Sequence, residues 1–139
     1  MALSNKAVRQ SLYTALNVSA VTTLLGSGSA SLVHGIAPPS ATYPLCVFTK
    51  QSDTSALRMG GNAMDSQLWL VKGIVRSTSP SVAEDIDAAV RTLLDFGTLT
   101  ITGGTNLFCA RTSGVAYSEA DGDQVFQHVG GLYRVTVSE

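Results

Sequence analysis

The apolar positions of this chain change period several times, and each change marks an element. Val8, Leu12, Ala15 and Leu16 fall at i, i+4, i+7 and i+8, one stripe of an amphipathic helix over Asn5 to Asn17 with Ser4 as its N-cap. Ser19 caps a second short turn that points Val21, Leu24 and Leu25 inward, and Gly26-Ser27-Gly28-Ser29 ends it with flexible backbone. Leu32 to Ile36 reads as a short strand held at an edge, because Pro38-Pro39 removes two ladder donors. Leu45 to Gln51 begins apolar and turns polar, as a strand does when it leaves a core for solvent.

Between Asp53 and Asp65 no period is sustained, and Gly60-Gly61-Asn62 interrupts the chain. The stretch nevertheless holds Leu57, Met59 and Met64, which a merely solvated loop has little reason to carry, so it is read as a contact loop. Period two returns from Ser66 to Ser77. Leu68, Leu70, Lys72, Ile74 and Arg76 share one face and Trp69, Val71, Gly73 and Val75 the other; both are partly apolar, which predicts a central strand. Ser79-Pro80 opens a helix with Ser at N-cap and Pro at N1, and Val82, Ile86, Ala89, Val90, Leu93 and Leu94 carry its apolar face to a left-handed stop at Gly97. Thr98 to Thr102 then alternates as a strand, Gly103-Gly104 turns it, and Leu107 to Ser118 returns with a bulge at Gly114. Asp121-Gly122 turns into Gln124 to Val137, which alternates Val125, Gln127 and Val129 and then Leu132, Arg134 and Thr136, the phase changing at Gly130-Gly131. The order α, β, β, α, β, β, β gives an α+β fold, a mainly antiparallel sheet flanked by two helices in a single domain.

Composition narrows the function classes. The chain has 139 residues, 45% of them hydrophobic and 14% charged, which excludes disorder and suits a surface that other subunits cover. At this size a folded monomer exposes roughly 7,000 Å² of the roughly 21,000 Å² that its unfolded chain would expose. Nine basic and ten acidic residues leave a net charge of -1, with no Lys/Arg run to neutralise phosphates, so electrostatic nucleic-acid binding is disfavoured. The polar start of the chain predicts no secretory signal, and no apolar stretch is long enough to span a bilayer.

Candidate chemistry is sparse. Cys46 and Cys109 each sit inside a strand-like apolar run and read as buried, unpaired thiols. His34 and His128 are the only imidazoles; without a CxxC, HxxxH or HExxH pair, neither a metal centre nor a Cys/His nucleophile is supported, and both read as polar, exposed strand residues. Glu119-Ala120-Asp121-Gly122-Asp123 lacks the closing Glu of a calcium loop and reads as a hairpin turn, and neither Gly pair joins a strand to a helix as a phosphate cradle would. Trp69 and the tyrosines lack interleaved Lys/Arg and read as core or interface anchors rather than stacking platforms. No catalytic, cofactor-binding or metal-ligating set is assigned.

The helix ending in Leu24-Leu25-Gly26, the Pro44-Leu45-Cys46-Val47-Phe48 strand entry, the long loop before Ser66, the helix from Ala83-Glu84-Asp85-Ile86 to Leu93-Leu94 and the closing Gly131-Leu132-Tyr133-Arg134-Val135-Thr136-Val137 together resemble the tail-completion proteins of long-tailed bacteriophages. The resemblance is one of pattern and order over nearly the whole chain. It implies a tail terminator, also called a tail-to-head joining protein, of the virion: a subunit of a usually hexameric ring, assembled in the host cytoplasm, that ends tube growth on the tail-tube protein and faces the head connector. DNA passes through such a ring without sequence-specific binding, and no cofactor, membrane or catalysis is implied. What it transfers is position: Asp53, Leu57, Arg58, Met59, Met64 and Asp65 become candidate contacts with a neighbouring subunit or ring. The alternatives are a head-completion or tail-tube subunit of similar shape and, from another class, a small ligand-binding or enzymatic α+β domain, which would need a pocket of convergent polar groups.

Overall fold

Val8, Leu12 and Leu16 have no exposed surface, so the first apolar stripe is the inner face of helix α1 (Asn5–Leu16). The computed structural model describes residues 5–58 and 61–138, so Ser4, Met59 and Gly60 lie outside it. After α1 come α2 (Ser19–Thr22), a single 3-10 turn at Gly28–Ser31, and strands β1 (Leu32–His34), β2 (Leu45–Arg58) and β3 (Gly61–Arg76); helix α3 (Ser81–Leu94), β4 (Thr105–Asp121) and β5 (Gln124–Ser138) complete the chain. The strands form one sheet in the order β1-β2-β3-β5-β4, with β1 parallel to β2 and every other pair antiparallel. This is the expected α+β fold, and β3 is its central strand.

Both long helices cover the same face of the sheet. Ile86, Val90 and Leu94 of α3 and the α1 stripe meet Cys46, Phe48, Trp69, Val71, Tyr133 and Val135 in one buried cluster. At roughly 1.5–3 kcal/mol per large apolar side chain buried, this layer is the main source of stability. Its tightest point is Gly73, where an added Cβ would stand 2.9 Å from Ile86 Cβ; only a glycine lets α3 come this close. The opposite face is covered in part: Ala37, Ala41 and Tyr43 pack on Leu45, Val47, Ile74 and Phe126, while Leu68, Leu70, Leu132 and Arg134 remain half-exposed. The accessible surface, 7305 Å², agrees with the size expectation.

Several local expectations are corrected. The stretch from Asp53 to Asp65 is not a loop; apart from residues 59 and 60 it continues β2 and β3 as an antiparallel hairpin, with Asp53 opposite Gln67 and Ser55 opposite Asp65. The sequence hides this because Gly60-Gly61-Asn62 interrupts it and no alternation is sustained on either side. Residues 98–102 are irregular rather than a strand: Leu99 and Ile101 turn inward, and the Leu99 amide donates to Asn106 Oδ1 at 3.0 Å. The left-handed stop after α3 is Phe96 (φ 61), one residue before the expected Gly97. Pro80 occupies the N-cap rather than N1, and Val82 is exposed while Ala83 takes its inward place. β4 shifts register twice, between Asn106 and Phe108 and between Arg111 and Ser113, the second just before Gly114. His128 is buried, contrary to expectation, whereas His34 is exposed.

The seat of α3 is directly testable. Gly73→Val places branched carbon where Ile86 already stands and should destabilise the fold by about 1–3 kcal/mol in urea denaturation. In a double-mutant cycle Ile86→Ala should cost less on the Gly73→Val background than by itself; if Gly73→Val unfolds at the wild-type midpoint, the close approach is refuted.

Candidate interaction surfaces

Pairing along the central strand ends unevenly. β5 accompanies β3 only as far as the Asp65–Val137 rung, whereas β2 and β3 stay paired out to Arg58 and Gly61. The outermost rungs are therefore a two-stranded ribbon, an arm about 14 Å long at 3.4 Å per residue. A shift in register between Ala56 and Leu57 bends it, and β1 flanks β2 only to Phe48, leaving the outer edge of β2 unaccompanied from Thr49 onward. Of the expected contact residues, Met64, Leu57 and Arg58 lie along this arm, Asp65 stands at its base, and Asp53 sits two rungs inside it, where β5 still flanks β3. Asp53 is exposed and ion-paired with Lys50; Asp65 stands two rungs further out on the face that Asp53 shares, with Met64, 40% exposed, on the other. Leu57 and Arg58 occupy the distal rungs. Met59 lies outside the described residues.

At the β1 edge, α1 and residues 100–102 enclose an open cleft of about 500 Å³ lined by Arg9, Tyr13, Thr14, His34, Phe48 and Thr100 among others. A second hollow of about 260 Å³ adjoins it, with Arg9 and His34 common to both and Lys50 on its wall. Burial, and secondarily Arg9, depress the His34 pKa, so Arg9 carries the cleft's charge near neutrality. Nothing in the sequence marks this cleft, because Arg9 and His34 lie on elements that only the fold brings together.

The β4 side holds two further polar groupings. Arg111 donates to Asp87 Oδ1 at 2.7 Å, to the Gly130 carbonyl at 3.0 Å and to Tyr133 Oη at 3.4 Å, tying β4 to α3 and β5. His128 stacks on Tyr117 with ring centroids 4.3 Å apart, and Lys72 Nζ donates to Tyr117 Oη at 2.7 Å. His128 Nε2 stands 3.4 Å from Glu119 Oε1 in poor alignment, so neither ring nitrogen is hydrogen-bonded. Burial, and then Lys72, lower the His128 pKa, with Glu119 opposing in part. Both cysteines are free and buried, as expected. Burial pushes the Cys46 thiol up to about 12, and burial with the Asp95 charge pushes Cys109 up to about 11. Among the described residues no three His, Cys, Asp or Glu side chains group to hold a metal ion.

No protein-family model and no curated protein matches the chain. Solved structures do. A chain of the virion of the native gene transfer agent particle superposes with a TM-score of 0.73 at 17% identity, over 96% of both chains. Another solved chain matches over 95% of each at 15% identity and a TM-score of 0.58. At these identities the likeness establishes the fold, and it does so along the full length of both partners.

Two expectations follow from the buried groups. Neither thiol should react with a thiol reagent at mildly alkaline pH while the protein is folded, since little thiolate forms at pKa values of about 12 and 11; rapid labelling without denaturant would contradict the packing. His128 gives the second. Its folded pKa lies below the ordinary 6.5, so its contribution to stability is complete above that value and is lost as pH falls below it, because the unfolded chain takes up the proton more readily. His34 acts in the same direction. Replacing His128 by Gln should flatten the acid-side fall of the urea midpoint, and an unchanged pH profile would remove His128 from the account.

Proposed function

We propose that this chain is a structural protein of a phage-like virion, and within it a tail terminator: a subunit that forms a ring at the head-proximal end of the tail tube, ends tube growth and joins the tail to the head connector. The observation that carries the reading is the full-length likeness to a chain of the gene transfer agent virion. The order of elements that resembles the tail-completion family supports the finer assignment. On this reading residues 1–139 act as one tail-terminator-like domain, its partners are further copies in a hexameric ring, the tail-tube protein and a connector protein, and DNA passes through the bore without sequence-specific contact. A net charge of -1 with no basic run suits that bore. Lightly charged surface suits a subunit whose faces are covered, and the role needs no catalytic step.

The arm fits a joining element. A two-stranded ribbon is marginal by itself in water, so its distal rungs gain order from whatever they touch. Asp53 and Asp65 on one face set register by charge, Met64 and Met59 adapt to the facing surface through flexible thioethers, and Leu57 and Arg58 complete the contact.

The test combines loss of the chain with loss of the arm. Particles assembled without the protein should carry tubes that run past normal length; normal tubes beside unjoined heads would point instead to head completion. Replacing Leu57 to Ala63 by Asn-Gly, a two-residue turn between the paired Ala56 and Met64, should leave the thermal midpoint nearly unchanged while tails go uncapped or unjoined in electron micrographs. A folded variant that still yields infectious particles with tails of normal length would show that the arm is not the joining element.

A further inference from the structure

The ion pairs among the described residues include Lys50–Asp53, Arg91–Asp95, Arg111–Asp87 and His128–Glu119. Arg9 is in none of them, although it stands between two hollows and is only partly exposed. A guanidinium held in a concave, partly desolvated setting, with no counter-charge among the described residues, suits an oxyanion that its planar fork can grip, a carboxylate or a phosphate, and of the two only the carboxylate is supplied by the chain itself. The surroundings suit such a guest: the hydroxyl-bearing side chains of Tyr13, Thr14 and Thr100 line the walls and the Phe48 ring adds apolar surface. At ~30 Å³ per water the larger cleft holds the volume of roughly seventeen waters, space for the end of a protein loop rather than a lone ion.

The same chain carries a carboxylate-bearing tip at the far end of its edge strand β4. β5 pairs with β3 only up to the Arg76–Phe126 rung, and beyond it Ala120–Val125 and Asp121–Gln124 continue as a two-stranded projection. Glu119, Asp121, Gly122 and Asp123 are all exposed there, and Gly122 (φ 61) tightens the turn. Glu119 faces His128, whereas Asp121 and Asp123 belong to none of the ion pairs above. The cleft takes Thr100 and Thr102 from the segment just before β4 begins at Thr105, whereas the tip lies where β4 ends at Asp121, so the 17-residue length of β4 keeps the two apart within one molecule.

We propose that the Arg9 cleft receives the Asp121-Gly122-Asp123 hairpin tip of a second copy of this chain. The contact is heterologous: each copy offers a tip and, apart from it, a cleft, so repetition closes into a ring if the rotation permits and otherwise runs on as a filament. It rests on the self-assembly part of the proposed function and not on a place in a tail.

Charge reversal tests it. Arg9→Glu and, separately, Asp121→Lys with Asp123→Lys should each weaken self-association by about tenfold or more in sedimentation velocity at low salt, circular dichroism showing both folded. Mixing the two variants should restore assembly, because the cleft of the Arg9→Glu copy accepts a lysine-bearing tip while the intact cleft of the other variant accepts an aspartate-bearing one. As an independent measurement, an Arg9→Cys copy mixed with an Asp121→Cys copy should give a cross-linked heterodimer with a short bifunctional thiol reagent, the native cysteines being buried. Assembly of the single variants at wild-type strength overturns the cleft contact while leaving a ring reading intact. Failure of the mixture to reassemble also overturns it, as does a wild-type chain that neither associates at high concentration nor cross-links. Loss of short-duplex DNA binding in Arg9→Glu with association unchanged would assign the cleft to phosphate and overturn the proposal as well.

Discussion

One guanidinium organises the β4 side of the molecule. Arg111 reaches across the sheet to Asp87 on α3, the Gly130 carbonyl and Tyr133, and the local backbone is arranged to let it do so. The register shift between Arg111 and Ser113 re-aims the side chain, and Gly131 gives it passage, since a Cβ there would stand 2.8 Å from the guanidinium carbon. Gly114 lies close by, its absent Cβ 3.1 Å from Nη2. The Asp87 carboxylate holds the Arg111 pKa above its ordinary value, against the cost of burial. Bulge, glycines and helix position are one solution to placing a half-buried charge on its partner, and removing either member would leave the other in a poorly hydrated site.

That anchor also explains how a chain with one well-covered sheet face can send ribbons beyond its core. The helices, the buried aromatics and Arg111 fix the middle of the sheet, so the β2–β3 arm at one end and the β4–β5 tip at the other project from a rigid base. The two projections differ in chemistry. The arm combines thioether and apolar side chains with flanking carboxylates, while the tip is acidic around a tight turn. Such a division suits contacts in two directions better than one broad adhesive patch.

Legibility in the sequence followed burial. Where an element has one buried face, the periodicity read correctly: the α1 stripe, the Ile86 and Val90 face of α3, the two-sided β3 and the phase change at Gly130-Gly131 all appear as expected. In the ribbon from Asp53 to Asp65 the sequence carries no alternation, and only the backbone ladder records the strand. Residues 98–102 fail for the opposite reason, since Leu99 and Ile101 alternate like a strand but point into the core from an irregular segment. Contacts made by distant residues left no trace: Arg111 with Asp87, Arg9 beside His34, and the burial of His128 under Tyr117 depend on strand order, which periodicity does not encode.

The strand order also sets how the fold is reached. β2 with β3, and β4 with β5, are hairpins of neighbouring segments, whereas the seam between β3 and β5 joins residues roughly fifty to seventy positions apart and has the largest loop to close. Gly73 and Gly130 both lie along that seam, and at Gly130 a Cβ would come within 2.3 Å of the Val71 carbonyl oxygen. Until the two hairpins dock, each presents a long unsatisfied backbone edge to its neighbours in a crowded assembly. The glycines on the seam thus bear on the competition between correct docking and pairing with another nascent chain, a kinetic demand on the sequence beyond the geometry of the finished fold.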